Sequence, residues 1–107
     1  MPNARRGEVG LTLGGTRYTL CLTLGALAEL ESAFAAPDLV ALGERLASGR
    51  ISSRDLVVLL AAALRGGGHP LSEAEVAALP LHEGIEPVVQ ALVALLAATF
   101  GSASANP

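Results

Sequence analysis

Val9, Leu11 and Leu13 alternate with Gly10 and Thr12, the period of two that a half-buried strand requires. Gly14-Gly15 follows, a two-residue connection favoured in hairpins because glycine accepts positive φ at low steric cost. A turn of that length sets the register: Leu13 faces Thr16, Leu11 faces Tyr18, Val9 faces Leu20 and, further out, Gly7 faces Leu22. Val9, Leu11, Tyr18, Leu20 and Leu22 then share one side of the ribbon, while Glu8, Gly10, Thr12, Arg17, Thr19 and Cys21 share the other. A lone two-stranded ribbon is marginal in water, so helices must cover its apolar side.

After Leu22 the period changes to that of helices. Thr23 is placed to cap a helix over 24–35 that carries Leu24, Leu27, Leu30 and Phe34 at helical spacings, with Glu29 and Glu31 turned away. Pro37 ends it. Asp38 can cap a second helix over 39–48, with Leu39, Leu42 and Leu46 on one stripe and Gly49 as its stop. Ser52 with Asp55 approximates a capping box before a third helix over 53–65, which the run Gly66, Gly67, Gly68 ends abruptly. Ser72 with Glu75 forms a cleaner capping box before a short helix over 73–79, which Pro80 breaks. Pro87 suits the first turn of a last helix over 86–100, and Gly101 stops it. The expected organisation is one domain over 7–101 with a flexible lead-in over 1–6 and a disordered tail over 102–107. Its class is α+β, mostly α: a hairpin over 8–23 followed by four to five helices in a small bundle.

Two of these helices depart from the usual amphipathic pattern. The third runs Leu56, Val57, Val58, Leu59, Leu60 to Leu64 with only Ala between. The last carries Val88, Val89, Leu92, Val93, Leu95, Leu96 and Phe100, with Gln90 the one polar residue from Pro87 to Ala98. A helix that is apolar all round must be covered all round. A domain of 107 residues has room for about one such helix, so a second is expected to leave an apolar stripe for a partner. The candidate partner-binding positions are Val57, Leu60 and Leu64 on the third helix and Val89, Leu92, Val93, Leu96 and Phe100 on the last. The competing reading is that Ala fills the outward sides and both helices are core.

Composition sharpens this picture. Apolar residues make up 51% of the chain and aromatics only 3%, so the core must be aliphatic, built from Leu, Val and Ala. The formal charge is −3 and all seven cations are Arg, a poor basis for nucleic-acid binding, which needs clustered positive charge. Neither Leu56 to Leu64 nor Ala91 to Ala98 approaches the ~20 apolar residues that span a bilayer, and no secretory h-region is visible, so a cytoplasmic protein is expected, while abundant Ala, Gly and Arg without Lys suggest a GC-rich bacterial genome. Cys21 is the single cysteine and reads as a small buried or half-buried thiol. His69 and His82 lie in separate loops without the short spacing of a zinc site. Glu29 and Glu31 point in different directions on a helix, and Glu73 and Glu75 suit a helix N-terminus. The "RGGGH" run lacks a phosphate-binding Lys and follows a helix rather than a strand. No catalytic, cofactor or metal constellation emerges, and a non-enzymatic protein is expected.

A family resemblance accounts for both the hairpin and the apolar surplus. "NARRGEVGLTLGGTRYTLCLTLGALAELESAF", from Asn3 to Phe34, resembles the opening of the small phage-tail proteins encoded in gene transfer agents. Those proteins belong among the phage tail assembly chaperones and also carry a tail-tube label. The resembling elements are Asn3, the Arg6-Gly7-Glu8-Val9 start, the Gly14-Gly15 turn, Tyr18 to Leu20 and the Thr23 to Glu31 segment. "LGERLASGR" from Leu42 and "LLAAALRGGGH" from Leu59 also fit. The similarity extends to about Leu79; beyond it the last helix is alike only in being long and apolar. The resemblance implies a non-enzymatic assembly chaperone that binds the long helical tape-measure protein and helps recruit tail-tube subunits. Two alternatives stand beside it: a structural tail subunit retained in the particle, and a small helical regulatory module. Unpaired strand edges are templates for strand addition, so the hairpin edges at Thr12 and Thr19 are further candidate contacts, with another copy or with a tail-tube sheet.

Overall fold

The computed structural model describes residues 7–34 and 39–99. Ala35, Pro37, Asp38, Phe100, Gly101, the 1–6 lead-in and the 102–107 tail lie outside them. The order is β1 (Glu8–Leu13), β2 (Thr16–Cys21), α1 (Leu24–Ala33), α2 (Leu39–Ala47), α3 (Ser53–Gly66), α4 (Glu73–Ala77) and α5 (Glu86–Thr99). The fold is α+β, mostly α, with one antiparallel hairpin followed by five helices.

The hairpin has the register that its turn dictates, with Val9 opposite Leu20, Leu11 opposite Tyr18 and Leu13 opposite Thr16. Gly14 and Gly15 take the positive φ values of 57° and 83° that the connection needs. Leu11, Leu13, Leu20 and Leu22 are buried on the inner face, with Val9 and Tyr18 packed at its margin. Leu13 thus joins the face that alternation assigned to Val9 and Leu11.

The helix ends follow local chemistry. The hydroxyls of Thr23, Ser52 and Ser72 accept hydrogen bonds from the backbone amides of Ala26, Asp55 and Glu75, each at 3.1 Å. At Ser72 the box is closed, because its own N–H donates to Glu75 Oε1 at 2.8 Å. Asp55 is one carbon shorter, and no such return bond forms at Ser52. α4 stops at Ala77 rather than 79; Ala78 and Leu79 close it with tight bonds back to Glu75 and Val76. α3 ends in a Schellman arrangement, with the His69 N–H on the Leu64 carbonyl, the Gly68 N–H on the Arg65 carbonyl and Gly68 at φ 97°.

The hairpin is the seam of the molecule. β2 packs on α3 and β1 on α5; α3 is further covered by α1 and α4, and α5 by α2. Each apolar helix thereby receives a strand on one side and helices on others. Seven residues of α3, from Leu56 and Leu59 to Leu64, are buried, as are Val88, Ala91, Leu92, Leu95 and Leu96 of α5. What α5 turns outward is mainly Gln90, Ala94 and Ala97. The expectation that one of the two helices must leave a broad Leu/Val stripe to solvent is therefore corrected: the seam lets a small domain enclose both, and Ala fills the outward side. On α1 the buried line is Ala26 and Leu30, with Leu27 and Phe34 beside it. Leu24, at the first helical position, lies about 200° around from Ala26 at 100° per residue and is 85% exposed rather than core.

The end of α3 lies flush against the β2 backbone. A Cβ at Gly66 would sit 2.0 Å from the Cys21 carbonyl oxygen, and one at Gly67 would sit 1.8 Å from that of Thr19. Just beyond, His69 Nε2 accepts the Thr19 N–H at 3.0 Å, and its ring meets Tyr18 edge-on with centroids 5.1 Å apart. As an acceptor, Nε2 carries no proton. Arg65 pairs with Glu29 of α1 and donates to the Leu71 carbonyl at 3.0 Å, tying α3 to both neighbours. His69→Ala should leave the half-buried Thr19 amide without its acceptor. The expected cost is about 1–3 kcal/mol in urea unfolding, with faster hydrogen exchange at the Thr19 amide.

Candidate interaction surface

The eight helix positions proposed from sequence separate into three groups. Leu60, Leu64, Leu92 and Leu96 are core side chains. Leu96 faces α2 across Gly43, where an added Cβ would lie 3.5 Å from Leu96 Cδ1. As parts of a partner-binding stripe these four are corrected, since helix packing inside the chain already covers them. Val57, Val89 and Val93 are half-buried, packed against the core yet partly open to solvent. Phe100 lies outside the described residues.

Apolar surface concentrates elsewhere. Three large hydrophobic side chains are exposed among the described residues: Leu24, Leu81 at 48% and Ile85 at 47%. Leu81 and Ile85 stand on the α4–α5 connection and flank one shallow apolar recess of about 90 Å³. Its walls are Leu13 of β1, Leu56, Val57 and Leu60 of α3, Val76 and Ala77 of α4, Leu79, and Val88 of α5. Val57 and the rim of Leu60 are the sequence candidates that reach it. Leu79, Leu81 and Ile85 were missed, because isolated apolar residues in a Pro- and Gly-containing loop carry no periodicity. The available signal was that a segment between two breakers, Pro80 and Pro87, keeps Leu81 and Ile85 at all.

A second recess of about 80 Å³ adjoins the first and shares Leu13 and Leu81 with it. Thr12, Gly14, Gly15, Pro80, His82, Glu83, Gly84 and Pro87 complete its walls. The hairpin turn rests on the loop here, since a Cβ at Gly14 would approach Pro80 Cγ to 2.8 Å. Gly14 therefore serves the positive φ and the close approach together. Thr12, His82 and Glu83 are the polar side chains at this mouth. Among the described residues no three His, Cys, Asp or Glu side chains converge as metal ligands. Cys21 is a half-buried free thiol.

The two hairpin edges are not equivalent. In a two-residue hairpin the residues flanking the turn form a hydrogen-bonded pair, and pairs alternate from there. Leu13–Thr16, Leu11–Tyr18 and Val9–Leu20 thus bond inward, and Glu8, Gly10, Thr12, Arg17, Thr19 and Cys21 direct backbone groups outward. On the β2 side the Thr19 N–H is taken by His69, and the carbonyls of Thr19 and Cys21 abut Gly67 and Gly66. The Thr19 edge, expected to be free, is closed by the chain itself. On the β1 side, the outward groups of Gly10 and Thr12 make no hydrogen bond among the described residues, and Thr12 is exposed.

Among the described residues no helix is long and apolar enough to cross a membrane. No curated protein matches the chain, and no solved structure does. A family model does, over nearly the whole length and including the hairpin, the glycine stop and both recesses. With residues 6–102 matched to the model described as "Phage tail tube protein, GTA-gp10", the chain belongs to that gene transfer agent family of phage tail proteins.

Proposed function

We propose that this protein is a non-enzymatic, tube-associated subunit of a phage-like tail, assembled in the bacterial cytoplasm and held in the particle by contacts with neighbouring tail proteins. The family description supports the tail role. The observation that carries the contact surface is the pairing of Leu81 and Ile85 beside one aliphatic recess: large apolar side chains left to solvent together, rimmed by polar residues, mark interaction sites. An apolar side chain of a neighbour entering the recess would cover both.

Leu81→Asp with Ile85→Asp is the test. Both residues are about half exposed, so the fold should lose about 1 kcal/mol or less for each. Incorporation into purified particles, read by quantitative mass spectrometry against wild type, should fall at least about tenfold, because burying a carboxylate at such a contact is strongly unfavourable. Full incorporation of the double variant would remove the recess from the contact.

A second reading is favoured by the recess itself. It is aliphatic and shallow, and a small apolar pocket is the kind that accepts anchors of an amphipathic helix without strict selection. On that reading the protein is an assembly chaperone for the tape-measure protein and leaves before the tail is complete. Wild-type protein absent from mature particles, yet co-purifying with co-expressed tape-measure protein, would select the chaperone over the retained subunit.

A further inference from the structure

We infer that His69 is a proton-operated latch on the β2 edge: neutral, it holds the Thr19 amide; protonated, it lets that amide go. The inference does not depend on which tail role is correct.

The latch is built from the backbone upward. The His69 N–H donates to the Leu64 carbonyl at 2.9 Å, and the His69 carbonyl accepts the Leu71 N–H at 2.8 Å. These bonds fix the residue just past α3, between Gly68 in the left-handed region and the rigid Pro70. From there Nε2 reaches the Thr19 N–H at 3.0 Å, and the ring stands edge-on to Tyr18. Among the described residues this is the one hydrogen bond that joins β2 to α3 and the turn after it. The rest of that seam is contact alone, with Gly66 and Gly67 lying against the Cys21 and Thr19 carbonyls.

The bond works in only one protonation state. An imidazole nitrogen accepts while it carries no proton, whereas both nitrogens of the imidazolium are donors. A proton on Nε2 would set N–H against N–H, and the half-buried Thr19 amide would lose its acceptor. The amide would then be an unpaired donor on a strand edge, with α3 held to β2 by packing alone. No anion rewards the charged ring, because His69 makes no ion pair among the described residues. The titratable and charged groups on the elements around it are Arg17, Tyr18 and Cys21 of β2, Arg65 of α3, Glu29 of α1, and Glu73 and Glu75 of α4. Of the carboxylates, Glu29 is engaged by Arg65 and Glu75 by the Ser72 N–H. The bonded state holds no proton at Nε2, and the released ring is free to take one. Release therefore takes up a proton, so the latch holds at high pH and weakens as pH falls through the range of about 8 to 5 in which histidine side chains charge.

The experiment is NMR on the full chain between about pH 7.5 and about pH 5.5, a span over which ordinary carboxylates keep their charge. At the higher pH the His69 ring should be the tautomer with its proton on Nδ1. On acidification the Thr19 amide and the His69 ring resonances should move with one shared midpoint. Protection of the Thr19 amide from exchange, taken relative to its intrinsic rate, should fall at least about tenfold. His69→Gln supplies a side-chain carbonyl that accepts the amide and does not titrate, so there Thr19 protection should stay within about twofold across the same span. His82→Gln, in the exposed α4–α5 loop, should respond as the wild type does. A proton on Nε2 at the higher pH overturns the inference. So does wild-type Thr19 protection that is indifferent to pH, or a response that persists in His69→Gln. Should His69→Gln fail to fold, the shared midpoint in the wild type decides alone, and separate midpoints for the amide and the ring overturn the latch.

Discussion

Gly67→Ala is expected to leave the protein largely unfolded at room temperature. The added methyl would stand 1.8 Å from the Thr19 carbonyl oxygen and 2.7 Å from its carbon. Both are backbone atoms in a paired strand, so relief requires moving β2 or the whole end of α3. Moving either also parts His69 from the Thr19 amide and opens the face that buries Leu20 and Leu22. The expected loss exceeds about 4 kcal/mol, a large share of the 5–15 kcal/mol that holds a typical domain together. Backbone strain is not the cause, since Gly67 has φ −85°, which alanine adopts readily. Gly66→Ala should behave alike, with its methyl 2.0 Å from the Cys21 carbonyl oxygen. Gly68→Ala is the control: φ is 97° but nothing lies within 4 Å, so only the left-handed penalty of about 1–2 kcal/mol applies. Urea unfolding followed by circular dichroism would rank the three. Equal, small losses at all three positions would mean that the glycine run is merely a helix stop.

Leu92→Ala is expected to cost about 2–5 kcal/mol, the range for emptying a closed aliphatic site. Leu92 is fully buried on α5, the helix held between α2 and β1. Removing its side chain takes contacts from both halves joined by the hairpin, and an aliphatic core with few aromatic side chains has little large surface with which to refill the space. The same substitution would be nearly silent in stability, and damaging in partner binding, if Leu92 belonged to an exposed stripe. Val93→Ala supplies the contrast. Val93 is half-buried one residue along, and its loss should cost about 1 kcal/mol or less. Unfolding midpoints of the two variants decide between core and contact. A silent Leu92→Ala would restore the exposed-helix reading.

The closed β2 edge also bears on the choice between tail roles. A subunit that continued a sheet from copy to copy would need two open edges, and this hairpin offers one. Apart from strand edges, the surface left is that of helices and loops, where among the described residues Leu81 and Ile85 are exposed beside one aliphatic recess.

Local elements were legible in the residues because their causes are local. The Gly14-Gly15 turn set the strand register by its length, and Thr23, Ser52 and Ser72 marked helix starts through hydroxyls that reach amides three residues on. The glycine run marked the end of α3, and alternation marked the inner face of the hairpin. Interaction surface was not legible in the same way, because apolar character says that a side chain must be covered without saying by what. The long runs of α3 and α5 drew attention by their hydrophobicity, and that same hydrophobicity placed them inside. The exposed residues Leu81 and Ile85 sat in a loop with no pattern to mark them. Gly66 shows the division most sharply. Helix propensity taken alone predicts that alanine there would stabilise by about 0.5–1 kcal/mol, whereas the packed chain puts a strand carbonyl where the methyl would go. By itself, then, the sequence determined which elements form, where they begin and stop, and that the core is aliphatic, since these depend on forces within a few residues. Only the tertiary structure decided which apolar faces meet one another, which strand edge is sealed and what is left for a partner. Those outcomes depend on contacts between segments far apart in the chain, and excluded volume between distant backbones leaves no mark in local pattern.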